Sequence, residues 1–216
     1  MIDAQLSAVL TGDLIGSRDA PGGRVDAVLD ALRAAARDFG RRHGTDLRFT
    51  RSRGDGWQVL VRDAGLALEA MLVLLARLRA ADTGIATRVA VGIGSLTTIG
   101  TADLSDADGT AFVASGDALA AMTRRHDLVI AGDGVGPTDV AILALCEAQV
   151  RRWTAAQAEA AALALLDGDA TQDDLARQLG VTRQAVQNRL AGAGVAALAL
   201  AKEAFRHRFG PGGHLR

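Results

Sequence analysis

The chain has 216 residues, 49% of them hydrophobic, a formal net charge of −1 and a single cysteine, Cys146. That length allows one large domain or two small ones with ample apolar material for a core. The charge balance excludes a globally basic nucleic-acid binder, and the lone cysteine excludes internal disulfides and a cysteine-based metal site.

In chain order, Gln5 to Asp13 reads as a first strand, with Asp13 at its C-terminal end. After the Pro21-Gly22-Gly23 break, Val25, Val28, Leu29, Leu32, Ala36 and Phe39 recur at helical spacing up to Gly40. Leu47 to Arg53 and Trp57 to Arg62 alternate in polarity around Gly54-Asp55-Gly56. That pattern predicts a hairpin, since Asp-Gly supplies the positive φ of a tight two-residue turn. Leu66 to Ala80 is a helix that is apolar around most of its circumference and therefore well buried. Arg88 to Ser95 is a strand whose glycines mark a close backbone approach. Thr97 to Asp108 suits a surface loop, Gly109 to Met122 a helix and Leu128 to Ala131 a short strand. The expected fold class is α+β: a ferredoxin-like, or palm-like, sheet with helices on one face, spanning residues 1–134.

Beyond the break at Gly132 to Pro137 the pattern is helical throughout, so residues 135–216 are expected to form an all-α domain. Its helices run Thr138 to Arg151, Thr154 to Leu166, Thr171 to Leu179, Thr182 to Leu190 and Val195 to Phe209. Four of them begin at a threonine suited to an N-cap. No stretch is long and apolar enough to span a bilayer, because Leu66 to Leu78 is short and interrupted by Glu69 and Arg77. The first residues lack the basic and apolar regions of a signal peptide. A cytoplasmic protein with no membrane partner is the expectation.

Two acidic turns carry the first functional signal: Thr11 to Arg18, with Asp13, and Arg51 to Gln58, with Asp55. If their strands are neighbours, both carboxylates lie on one edge of one sheet, where they repel unless a proton or cation separates them. Mg²⁺ takes oxygen ligands and keeps open positions for phosphates, so Asp13 and Asp55 are candidate metal ligands of a nucleotide site. Aspartates in glycine turns also serve purely conformational ends, and that alternative stands beside the metal site.

The second signal lies in residues 171–190, a helix-turn-helix pattern. Ala176 allows two helices to cross closely, Gly180 opens the turn, Thr182 caps the next helix and Val186 locks the pair. Leu175, Leu179 and Leu190 fill the other core positions. Thr182, Arg183, Gln184, Gln187, Asn188 and Arg189 are the candidate DNA-binding residues, since Arg pairs with guanine and Gln or Asn with adenine. Thr182 and Arg183 sit where a helix start can hold phosphate. Arg206, His207, Arg208, His214 and Arg216 offer either further phosphate contacts or a fraying basic tail.

Six motifs in order resemble those of the SatD family of small bacterial proteins. They are Gly12 to Arg18, Gly54 to Gln58, Arg88 to Gly94, Asp108 to Phe112, Trp153 to Gln157 and the helix-turn-helix. Gly56-Trp57 departs from that family's Glu-Phe. More distantly, the N-terminal half resembles the palm-like domain of class III nucleotidyl cyclases. That resemblance implies Asp13 and Asp55 as the metal pair and Leu14, Ile15, Gly16 and Ser17 as the phosphate turn. It puts Arg51 where the cyclases keep a base-reading lysine, and Arg18, Arg53 and Gly54 complete the candidate nucleotide set. Val113 and Asp117 stand where cyclases carry an asparagine and an arginine, which implies binding without turnover.

The reading that follows is a DNA-binding regulator, a homodimer, whose N-terminal domain binds a nucleotide with Mg²⁺. The alternatives are a metal-dependent nucleotidyl cyclase or transferase with a helical tail, and a non-catalytic interaction module.

Overall fold

A computed structural model describes residues 5–17, 23–52, 54–101 and 103–213. Strands β1 (Ser7–Ile15), β2 (Arg48–Arg51), β3 (Gly56–Val61), β4 (Ala86–Gly94) and β7 (Leu128–Gly132) form one sheet. Its order is β2-β3-β1-β4-β7, with only the β4–β7 pair parallel. Helices α1 (Arg24–His43) and α2 (Ala67–Ala80) complete the βαββαβ order of a ferredoxin-like sheet within an α+β fold. A two-stranded ribbon, β5 (Thr98–Ile99) with β6 (Ala107–Asp108), interrupts what the sequence predicts as plain loop.

Period-two alternation decides the faces. Ala8 and Leu10 of β1 join Val59, Val61, Val89 and Val91 in the large core under α1 and α2. Val9 and Leu60 point the other way, against Leu104 and Ala111. Ala111 belongs to α3 (Thr110–Ala121), so helices cover both faces of the sheet and not one as expected. The reason lies in β4: a Cβ at Gly92 would overlap the Ala111 carbonyl, and one at Gly94 would overlap Thr110. These glycines let α3 lie directly on the strand.

The C-terminal part adds α4 (Pro137–Val150), α5 (Ala155–Leu166), α6 (Gln172–Leu179), α7 (Arg183–Gly192) and α8 (Val195–Phe209). Thr154, Thr171 and Thr182 cap α5, α6 and α7 through their hydroxyls. Thr138 does not cap α4. Pro137 takes the first helical position and Gly136 the cap, with the Asp139 carboxylate accepting from the Gly136 amide at 2.8 Å.

The boundary at 134/135 marks a change in secondary structure but no gap in packing. Eleven of the fourteen α2 residues are buried, among them Leu72 and Met71. One side of α2 meets the sheet, and the other is covered by Ala158, Ala161 and Leu165 of α5 within the same apolar cluster. Trp153 closes the seam: its indole donates to the Ala193 carbonyl at 2.9 Å, and its own carbonyl accepts from Arg79 at 2.9 Å. Among the described residues no helix is long and apolar enough to cross a membrane.

Candidate functional site

The sheet topology gathers one end of β1, the β2–β3 turn, the start of β4 and the approach to β7. A cavity of about 660 Å³ opens there, a size that suits a small ligand. Asp13, Asp55 and the segment from Leu14 to Ser17 line it, so these predicted site residues do converge, although Leu14 and Ile15 are the paired end of β1 and not a turn.

Asp13 is not at the strand's end. β1 continues to Ile15, and Asp13 pairs with Gly56 on one side and Arg88 on the other. It shares a face with Thr11, two residues earlier, whose hydroxyl shares a 2.8 Å hydrogen bond with Ser115 of α3. Arg88 stands directly across β4. Its Nε donates to Asp13 Oδ1 at 2.9 Å, and its Nη2 donates to Oδ2. This is the bidentate geometry in which guanidinium and carboxylate bind most strongly. Hydrogen bonding to Asp13, with the nearby Asp127 and Asp55 charges, holds the Arg88 guanidinium above its ordinary range.

Asp55 lies at the hairpin tip, where it accepts a hydrogen bond from the Ser17 hydroxyl. The tip differs from the predicted two-residue turn. Ser52 N–H donates to Gly56 O at 2.9 Å, enclosing residues 53–55, and the positive φ of 72° falls on Gly54, not on Gly56. Gly54 carries the turn and does not line the cavity. Arg51 also faces away from its expected role, donating to Asp26 of α1 at 2.7 Å and to the Gly54 carbonyl at 3.1 Å. Arg18 and Arg53 lie outside the described residues.

Arg88, Arg124 and Asp127, none of them among the expected site residues, also line the cavity. Arg88 opens the Arg88 to Gly94 motif, which was a usable signal, whereas Arg124 and Asp127 sit in an unmarked connection. Asp127 is held by Arg151 at 2.7 Å. The cavity thus has two arginines of its own, so the absence of a cation at Val113 and Asp117 does not leave it without positive charge. The cation paired with Asp13 is Arg88, on the β4 side of β1, while Asp55 on the β3 side accepts from Ser17.

The oxygen-only donor set of Asp13 and Asp55 has the chemistry of a Mg²⁺ site. Both Asp13 oxygens accept from Arg88, however, so a metal there competes with the arginine for the carboxylate. Among the described residues no group of three or more His, Cys, Asp or Glu side chains converges as a ready metal cage.

No protein-family model matches this chain, and no curated protein matches it either.

The helical part has the predicted helix-turn-helix geometry. The α6 helix ends at Gly180, whose φ of 65° is left-handed, and the Val181 amide returns to the Ala176 carbonyl at 3.1 Å. The Thr182 hydroxyl accepts from the Ala185 amide at 3.1 Å to start α7. Leu175, Ala176 and Val186 are buried together, with Leu179 and Leu190 packed against them. Thr182, Arg183, Gln184, Gln187 and Asn188 are exposed.

Arg189 departs from the predicted set. It turns away from that exposed surface to Glu159 of α5 at 3.1 Å, because its place on α7 faces α5. Arg183 lies 3.5 Å from the exposed Asp173. The basic C-terminal segment is largely structural: Arg206 donates to Glu69 at 2.8 Å and Arg208 to Asp139 at 3.0 Å, while His207 is exposed. His214 and Arg216 lie outside the described residues.

Proposed function

We propose that this chain is a cytoplasmic, homodimeric DNA-binding regulator of the SatD type, reading DNA through α7 and binding a nucleotide with Mg²⁺ in the Asp13–Asp55 cavity. The observation that carries the reading is the α7 surface. Arg183, Gln184, Gln187 and Asn188 are exposed on a short helix whose opposite side is locked by Val186. These are the side chains that make bidentate contacts to guanine and adenine edges. A dimer would set two such helices about 34–36 Å apart, one turn of the duplex. In the cavity, Asp13 and Asp55 would hold the metal once Arg88 releases Asp13, and the metal would supply positive charge for the phosphates. Gly16 and Ser17, just past the end of β1, then face the same ligand.

Selection of duplexes from a randomised pool, followed by anisotropy titrations with and without ATP or GTP and Mg²⁺, tests both halves. Enrichment of one sequence, with an affinity that nucleotide shifts, supports the proposal; a flat pool removes the DNA assignment. Arg124, an exposed cation lining the cavity, favours a second reading, a metal-dependent nucleotidyl transferase. Steady Asp13-dependent product from a nucleoside triphosphate would promote it over the first.

A further inference from the structure

The Asp13–Arg88 contact does more than neutralise a carboxylate. Both groups line the same cavity, and each occupies the face the other would turn to an outside partner. A cation approaching Asp13 competes with the Arg88 Nε and Nη2 donors and is repelled by the guanidinium charge. Arg88 cannot offer that edge of its guanidinium to an anion while Asp13 occupies it. The pair is also free to part. Its side chains are 31% and 30% exposed, so water can take up either group once separated. Beyond Asp13, no hydrogen bond to another protein group ties the Arg88 guanidinium among the described residues.

We infer that the Asp13–Arg88 pair is an exchangeable lock that makes divalent-cation binding and polyphosphate binding in this cavity mutually reinforcing. A cation on Asp13 frees Arg88 for phosphate oxygens, and an anion on Arg88 frees Asp13 for the cation. Neither ligand alone recovers the full interaction, because each competes with the ion pair for its strongest contacts. Coupling of this kind is reciprocal: the factor by which one ligand improves the other is the same in both directions. The protein thereby favours a metal–polyphosphate complex over free metal or free anion. This inference rests on the nucleotide-site reading and adds to it the roles of Arg88 as gate and counter-charge.

The test looks for gains of binding, which a misfolded protein does not produce. Mn²⁺ binding to the full chain without phosphate is followed by electron paramagnetic resonance, and tripolyphosphate binding in EDTA by calorimetry. Arg88→Met should bind Mn²⁺ on the order of tenfold more tightly than the parent, since a bidentate competitor is gone. Asp13→Asn should bind tripolyphosphate more tightly in EDTA, by about three- to tenfold, while losing Mn²⁺. Arg88→Gln serves should Arg88→Met fail to fold. Unchanged or weaker Mn²⁺ binding in the arginine variants, with unchanged tripolyphosphate binding in Asp13→Asn, overturns the lock. If the parent nevertheless binds Mg²⁺–nucleotide, only the lock fails. If neither the parent nor any variant binds metal or polyphosphate, the lock and the site reading fall together.

Discussion

Gly12 and Trp57 sit directly opposite one another on β1 and β3, and the indole occupies the space a Gly12 Cβ would need. Trp57 is fully buried, and its Nε1 donates at 3.0 Å to the Thr87 hydroxyl, which in turn donates to the Asp13 carbonyl at 2.8 Å. The ring and the glycine are therefore one packing unit, and that unit fixes the backbone that presents Asp13. Gly12→Ala should destabilise the protein by about 1–3 kcal/mol, the usual cost of overpacking a filled core. Adding Trp57→Phe should recover part of the loss, and denaturant melts of the two variants check both statements.

Asp13→Ala tests what the carboxylates do to stability. Sequence reasoning from repulsion between Asp13 and Asp55 predicts that removing one raises the melting temperature without metal. The structure reverses the sign, because Arg88 already compensates Asp13 and would be left unpaired and partly buried. Asp13→Ala should melt below the parent in metal-free buffer. In calorimetry it should also lose Mg²⁺-dependent nucleotide binding.

Glu69 predicts a pH dependence. Its carboxylate is buried at the start of α2, with Lys202 at 3.0 Å, Arg206 at 2.8 Å and His43 at 3.5 Å. Burial pushes its pKa up, but the His43 ring at 3.5 Å and the hydrogen bond and charge of Lys202 outweigh burial and leave it below the ordinary carboxylate range. The stability it adds is thus complete above the ordinary value of 4.5 and lost as pH falls through the lowered one. At neutral pH, Glu69→Gln should cost more than the about 0–1 kcal/mol typical of a surface pair. The gap to the parent should close on acidification below 4.5, which paired thermal melts across that range would record. A gap that stays constant with pH would remove Glu69 as the titrating group.

On DNA, Gln187 and Arg189 should behave differently from one another. Gln187 is exposed on α7, and its replacement by Ala should cost about 1–3 kcal/mol on a specific duplex and relax preference at one base pair. Arg189, turned to Glu159, should leave the salt dependence of DNA binding unchanged when replaced by Ala and cost only a surface pair's worth of stability. Salt titrations on specific and scrambled duplexes separate the two. A drop of about one in the salt slope for Arg189→Ala would put that arginine on phosphate after all.

The features legible in the sequence are those whose causes lie within a few residues. Gly180, Thr182 and Val186 mark the helix-turn-helix because the turn, the cap and the inward contact recur at short, set offsets. The burial of α2 follows from an apolar surface on all its sides, and Gly92 and Gly94 announce that something must lie close to β4. What lies there is another matter. That α3 fills the place, that α5 rather than solvent covers α2, and that the packing runs on past residue 134 depend on which surfaces meet in space. The candidate site divides in the same way. Asp13 and Asp55 stand out as turn aspartates, but Arg88 reaches Asp13 across 75 residues of chain only through the β1–β4 register. A shift of one residue in that register would turn Arg88 to the other side of the sheet. Arg124 and Asp127 enter the cavity because β7 runs parallel to β4, and Arg189 leaves the DNA-facing set because α5 passes beside α7. Local backbone chemistry writes periodicity and caps into the chain, whereas charge pairing across strands and helices exists only once tertiary packing has chosen the neighbours.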